Sequence, residues 1–148
     1  MAATKTFSAR PAQVKRQWHL LDAAEAPLGR VATVAAKLLM GKHKPEFTHH
    51  IDVGDSVIIV NAAKLRLTGR KLQLKLYQRH SGYPGNLKTL TAQQLKDRDP
   101  TKIIEHAVRG MLPKNKLAAE RMRRLRIYVD EKHGLEAQQP QPMKVSNG

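Results

Sequence analysis

The apolar positions of this chain fall into two kinds of rhythm, and the switch between them marks its organisation. Trp18-His19-Leu20-Leu21-Asp22-Ala23 is a short apolar run between Lys15-Arg16 and Glu25-Ala26-Pro27, which predicts a buried strand. Pro27 suits a first helical position, and Leu28, Val31, Ala35, Leu38 and Leu39 then recur at helical spacing until Gly41 supplies a stop. Asp55 to Ala62 is continuous and β-branched, as a parallel strand covered on both faces tends to be. Strand, helix and strand in that order make a βαβ unit with a right-handed crossover.

Beyond it the period becomes two. Leu65 and Leu67 alternate with Lys64, Arg66 and Thr68, and Leu72, Leu74 and Leu76 alternate with Lys71, Gln73 and Lys75. With Thr68-Gly69-Arg70 as the turn, this predicts two half-buried strands, leucines on the core and basic side chains on the other face.

The second half is mainly helical. Thr91 with Gln94 fits a capping box that opens a short helix ending before Asp97. Asp99-Pro100 is a cap followed by a first-turn proline, and Ile103, Ile104, Ala107, Val108, Met111 and Leu112 form one stripe stopped by Pro113. Asn115 is placed to cap another short helix with Leu117, Met122 and Leu125 inward, and Ile127-Tyr128-Val129 reads as a final strand. From Glu136 the Gln- and Pro-rich tail is expected to be extended or disordered. One domain over residues 1–148 is expected, with a basic arm at 1–15 and the tail at 136–148. A short organelle-targeting peptide is the alternative reading of the acid-free arm.

Charge changes the picture from fold to partner. The chain has 27 Lys and Arg against 12 Asp and Glu, a net charge of +15. From Ser56 to Lys96 there are eight basic residues and no acid, where the chain's own acid frequency would give about three. An acid-free basic strip suits a polyanion, and nucleic acid is the commonest one. No stretch reaches the ~18 apolar residues of a membrane span. With no cysteine, disulfides, thiolate metal sites and cysteine nucleophiles are all excluded.

Enzymatic uses of the βαβ unit lack their motifs. No G-x-G-x-x-G, phosphate-loop, G-x-S-x-G or H-E-x-x-H pattern occurs. The loop from Ala24 to Gly29 has a single glycine and an acid, Glu25, that would repel phosphate. His49-His50 lies near Glu46, Asp52 and Asp55 without metal-ligand spacing, and reads as solvated or phosphate-contacting. Asp52 and Asp55 around Gly54 read as a turn rather than an acid/base pair. We therefore expect no catalytic residue, no metal, no cofactor and no small-molecule substrate.

Binding features accumulate instead. Lys42, His43 and Lys44 follow a helix end, where dipole complementation is the competing explanation. Arg79, His80, Ser81, Gly82 and Tyr83 open a Gly- and Pro-shaped loop whose mixture of groups can clamp phosphate and stack on a base. Lys114, Lys116, Arg121, Arg123, Arg124 and Arg126 face only Glu120, and at helical spacing they surround their element. With Lys64, Arg66, Arg70, Lys71 and Lys75 of the strip, cations are spread over loops, strands and helices. No single DNA-recognition helix stands out. Aromatic content of 4% argues against base-stacking sheet platforms, so shape and backbone recognition of folded RNA fits best.

Leu28-Gly29-Arg30-Val31-Ala32, Gly41-Lys42-His43-Lys44, Asp52-Val53-Gly54-Asp55, Val60-Asn61-Ala62, Leu67-Thr68-Gly69, His80-Ser81-Gly82 and Arg109-Gly110-Met111-Leu112-Pro113 occur in this order, followed by Leu125 to Val129 and Ala137 to Pro140. The chain thereby resembles the bacterial-type large ribosomal subunit protein 13 family from roughly Lys5 to Pro142. The resemblance implies an α/β fold in three layers around a four-stranded, mainly parallel sheet, with basic loops and a C-terminal extension. It also implies direct binding to large-subunit (23S-type) ribosomal RNA, neighbouring large-subunit proteins as partners, and an early role in assembly in the cytoplasmic ribosome, an organellar ribosome being the alternative. Positions matching the family's basic motifs are Lys42, His43, Lys44, His80, Ser81, Gly82, Arg109, Gly110, Lys114 and Arg126. Two departures stand out: Leu117 to Arg121 replaces a Leu-Gly-Arg segment, so that contact falls to Arg121 or is lost, and Asn86 replaces a second glycine. A free RNA-binding repressor and a small nucleotide-dependent enzyme are the competing functions.

Overall fold

The structure, a computed structural model, describes residues 7–145. The first six residues of the basic arm and the last three of the tail lie outside the described residues. Along the chain run β1 (Trp18–Asp22), α1 (Leu28–Met40), β2 (Ser56–Val60), α2 (Lys71–Leu74), β3 (Leu76–His80), β4 (Leu87–Thr91), α3 (Ala92–Arg98), α4 (Pro100–Met111), α5 (Leu117–Arg123), β5 (Leu125–Ile127) and β6 (Gln141–Pro142). No helix among them is long and apolar enough to cross a membrane.

The βαβ unit forms as expected, with shorter ends: β2 spans Ser56–Val60 within the expected 55–62, and Pro27 is the N-cap of α1 and not its first helical residue. β1 and β2 pair in parallel with Trp18 opposite Ser56 and Asp22 opposite Val60. β5 adds in parallel to β2 and β6 to β1, giving a four-stranded parallel sheet in the order β5-β2-β1-β6. Every residue of β2 is buried, which is why its sequence is apolar without alternation. Ile58 and Ile59 point to opposite faces and both are fully buried, each contributing roughly 1.5–3 kcal/mol. α1 lies against β1 and β2 with Val31, Ala35, Leu38 and Leu39 inward, and α4 packs on α1 through Ile103, Ile104 and Val108.

Local signals set the helix ends. Gly41 takes φ +79° and its N–H donates to the Leu38 carbonyl, while the Lys42 N–H donates to the Lys37 carbonyl; only glycine enters that conformation without strain. The Thr91–Gln94 capping box forms in both directions. Its helix runs to Arg98 and not merely to the residue before Asp97, because the Asp99 N–H still finds the Leu95 carbonyl at 2.8 Å. The Asp99 carboxylate then accepts the Thr101 N–H and caps α4.

Three expectations need correction. The alternating leucines from Lys71 to Leu76 are not a strand: Lys71–Leu74 is one helical turn with no buried residue, and Leu74 and Leu76 are exposed. Lys, Leu and Gln favour helix and are poor strand formers, and no strand lies alongside to select the extended form. In the first part only the burial alternation holds, with Leu65 buried, Leu67 packed on the core and Lys64, Arg66 and Thr68 outside; no strand forms there, since Ala62–Lys64 is a 3-10 turn and Arg66 makes a single isolated bridge to Pro27. The true hairpin is β3 with β4, antiparallel from Leu76–Thr91 to His80–Leu87. Second, α5 has no side-chain cap; Asn115 contributes only its carbonyl, to the Ala118 N–H. Third, the last strand of the helical half is β5 at Leu125–Ile127, two residues earlier than Ile127-Tyr128-Val129. Of the two alternatives for the tail the extended one applies: after a 3-10 turn at Glu136–Gln138 it runs through β6, Met143 donates its N–H to the Leu20 carbonyl at 2.9 Å and Val145 is buried.

Among the described glycines, Gly54 has the tightest approach to neighbouring backbone. A Cβ there would sit 1.8 Å from the Leu39 carbonyl oxygen, so the loop before β2 closes onto the C-terminus of α1 only with glycine. Gly54→Ala is expected to cost about 3 kcal/mol or more, lowering the melting temperature by roughly 6–12 °C. Thermal denaturation followed by circular dichroism reads this directly, and an unchanged Tm would contradict the packing.

Candidate nucleic-acid interface

Two aspartates decide which basic residues are free to meet a partner. Asp55 is fully buried at the start of β2. One carboxylate oxygen accepts the Gln17 N–H at 2.9 Å and the Lys44 ammonium at 2.5 Å; the other faces His19 Nε2 at 3.2 Å and His43 Nε2 at 2.8 Å. Lys44 also donates to the carbonyls of Lys15 and Val53. Asp52, equally inward, receives a two-pronged contact from the Arg124 guanidinium, whose Nη2 also reaches the Leu39 carbonyl. Arg121 is 2% exposed, with Nε 3.6 Å from Asp52.

Of the candidate RNA-binding residues, therefore, Lys44, Arg121 and Arg124 are held in internal ion pairs, and His43, though exposed, has its Nε2 on Asp55. Their sequence setting, beside other cations, gave no sign of this. The signal lay in Asp52 and Asp55, which a cationic chain cannot bury unpaired. Burial alone would raise both carboxyls. At Asp55 the hydrogen bonds from His19, Lys44 and the Gln17 N–H, with the Lys44 charge, outweigh it and hold the carboxyl well below the usual carboxylate range. At Asp52 the Arg124 hydrogen bond and charge do the same.

His19, His43 and Asp55 are, among the described residues, the one group whose possible metal-ligand atoms lie within 4.8 Å of one another. They could hold a cation, but Lys44 on the same carboxylate opposes a second positive charge there. The cluster works as a hydrogen-bonded hub for Asp55. His49 and His50, which the sequence offered, are exposed; His49 packs its ring on Phe47 and His50 meets the Ser8 hydroxyl. The end of β1, where a parallel sheet of this kind would cradle a nucleotide, is closed by its own chain. Asp22 accepts the Ala24 N–H, Glu25 accepts the Val145 N–H and the Leu28 N–H donates to the Arg66 carbonyl.

The remaining candidates are all exposed: Lys42, Lys64, Arg66, Arg70, Lys71, Lys75, Arg79, His80, Ser81, Gly82, Tyr83, Arg109, Gly110, Lys114, Lys116, Arg123 and Arg126. Arg66, Lys71 and Lys75 converge on a concavity of 360 Å³ that also takes in Gly29, His106 and Gly110. They meet there because the α2 turn folds back, not because they share a strand face. The loop after β3 is shaped by Gly82 and Gly85, both at positive φ, and the Gly82 N–H donates to His80 Nδ1 at 3.0 Å. Tyr83 stands 73% exposed at its tip instead of packing down. Sequence reasoning passed over Lys88, Arg98 and Lys102, which the hairpin and the α3–α4 junction bring beside Arg79; no local motif marks them.

Residues 16–134 match the sequence profile of the family described as Ribosomal protein L13. The chain belongs to that family. It is 51% identical over 141 residues to the large ribosomal subunit protein uL13 of Methylococcus capsulatus, covering 95% of this chain and 99% of the relative. To the protein of the same name from Kocuria rhizophila it is 51% identical over 142 residues, covering 96% and 97%. To that of Desulfitobacterium hafniense it is 54% identical over 140 residues, covering 95% and 98%. The ribosomal protein L13 family match spans the sheet core, both aspartates and the hairpin alike. Arg121, the residue to which the Leu117 to Arg121 segment would leave the arginine contact, points inward to Asp52 and is not exposed.

Both aspartates have lowered pKa values, so the stability they confer is fully present above the unfolded carboxylate value of about 3.9 and is lost as pH falls below it. The melting temperature is expected to fall progressively below about pH 4. In Asp55→Asn that acid-dependent loss should shrink while the neutral-pH Tm drops, since Lys44 loses its counter-charge. Differential scanning calorimetry between pH 7 and acid checks both signs.

Proposed function

We propose that this protein is a structural constituent of the large ribosomal subunit that binds its ribosomal RNA directly and stabilises RNA folding early in subunit assembly. The observation that carries this reading is the sorting of charge. Buried carboxylates match the inward cations, while the outward ones, on α2, the hairpin loop, the end of α4 and at Lys114, Lys116, Arg123 and Arg126, have few acids beside them. Lys and Arg placed on several rigid elements neutralise phosphates in fixed register, and phosphate contacts of this kind position a protein on folded RNA. The family relationship to large-subunit proteins supports the identity of that RNA. Neighbouring large-subunit proteins would cover part of the remaining surface.

If about six phosphates are engaged, log affinity for purified large-subunit RNA should fall against log salt with a slope of roughly −4 to −5. A flat salt response in filter-binding assays would refute direct backbone recognition. A second variant probes the concavity beside α2. Arg66→Glu, Lys71→Glu and Lys75→Glu together replace exposed side chains, so the Tm should change little, yet incorporation into large subunits on a sucrose gradient should be lost. Normal incorporation of a folded triple variant would remove this region from the interface.

A further inference from the structure

The hairpin β3–β4 stands away from the main sheet, and a groove of 640 Å³ runs between its inner face and the helices α3 and α4. Two features of this groove are at odds with a surface made only for water. Arg79 and Lys88 are direct cross-strand partners on the groove side, and like charges placed opposite each other destabilise a hairpin. Arg98 and Lys102 face them from the helices. Arg79, Lys88 and Arg98 make no ion pair or side-chain hydrogen bond among the described residues. Of the two carboxylates nearby, Asp99 is committed to capping α4 through Thr101, with Lys102 only 3.6 Å away.

The floor has the opposite character. Tyr77 and Leu90, also cross-strand partners, lie on the same face as Arg79 and Lys88, one pair further into the groove. Leu95 of α3 is buried beneath them, and the His106 ring sits 5.7 Å from the Tyr77 ring. Burial pushes the Tyr77 hydroxyl up, in keeping with its partly apolar setting.

A cationic rim over a flat apolar and aromatic floor separates the two chemistries that a nucleotide also separates, phosphate and base. Resting on the RNA-binding reading above, we propose that this groove takes a single unpaired nucleotide of the RNA, its base on Tyr77 and Leu90 and its phosphates between Arg79 and Lys88 on one side and Arg98 on the other. A continuous duplex keeps its bases stacked and would leave the floor empty. A run of acidic side chains would meet the rim but has no flat apolar group to place below.

The test uses the full-length protein with a short single-stranded RNA carrying 5-bromouridine, with the same strand in a duplex, and with deproteinised large-subunit RNA. Ultraviolet crosslinking followed by peptide mapping should place the single-strand adduct on β3 or α4, with the duplex giving little. Lys88→Glu/Arg98→Glu should lower that adduct at least about tenfold, while Lys37→Glu/Lys132→Glu, an equal charge change elsewhere, should keep it on the same peptides. Adducts mapping elsewhere, wild-type yield from Lys88→Glu/Arg98→Glu, or equal yields from duplex and single strand would overturn the groove proposal. Suppression of adduct formation by poly-glutamate added before irradiation, as effective as by unlabelled RNA, would assign the groove to an acidic protein segment and overturn it too. If the groove fails while wild-type protein still binds large-subunit RNA with a steep salt slope, the broader function stands; no binding to that RNA at all would remove both.

Discussion

The fold is organised around a requirement that two carboxylates be buried at the mouth of β2. Asp52 and Asp55 bracket Gly54, whose backbone lies against the Leu39 carbonyl at the end of α1. Through their side chains they reach the segment before β1 at Gln17, the loop after α1 at His43 and Lys44, and the α5–β5 junction at Arg121 and Arg124. Four stretches of chain are thus tied at one point by hydrogen bonds and charge. An unpaired buried carboxylate would cost several kcal/mol, so these cations are not interchangeable with the exposed ones. Hydrophobic burial supplies the mass of the core, but this polar junction fixes which segment meets which.

Much of that arrangement was legible because local and tertiary preferences agreed. The βαβ unit, the Thr91–Gln94 box, the Asp99-Pro100 start and the Gly41 stop each carried a backbone reason visible in a few residues. Legibility failed where a pattern needed a distant partner to acquire meaning. Alternation from Lys71 to Leu76 looks like a strand, yet with no second strand beside it helix-favouring residues closed into a turn. The hairpin that does form is built on Leu76 to His80 and Leu87 to Thr91, where six loop residues hide the pairing. β6 was similarly invisible: two residues of a Gln- and Pro-rich tail become a strand only because β1 presents an open edge to them.

The site was legible in type but not in membership. Net charge and an acid-free stretch pointed to a polyanion without any structural knowledge. Which cations serve it depends on where the few acids sit, and that is a property of the fold. Lys42 and Lys44 are two residues apart, but only Lys44 reaches Asp55. Arg123 and Arg124 are adjacent, and only Arg124 reaches Asp52. Conversely Lys88, Arg98 and Lys102 gather beside Arg79 from three elements, a convergence that no spacing rule would reveal.

This division gives the protein its electrostatic character. The inward cations satisfy buried acids and would be present in any environment. The outward ones repel each other, most plainly where Arg79 opposes Lys88 across the hairpin, and that repulsion disfavours the compact state unless an anion lies near. A polyanion bound to several elements would relieve the repulsion at all of them together, so binding free energy would add to folding free energy. The hairpin and α2, with few buried side chains of their own, would gain most from it, whereas the sheet and α1, already locked by Asp52 and Asp55, would gain least. The rigid half of the molecule then acts as the frame that sets the register of the charged half.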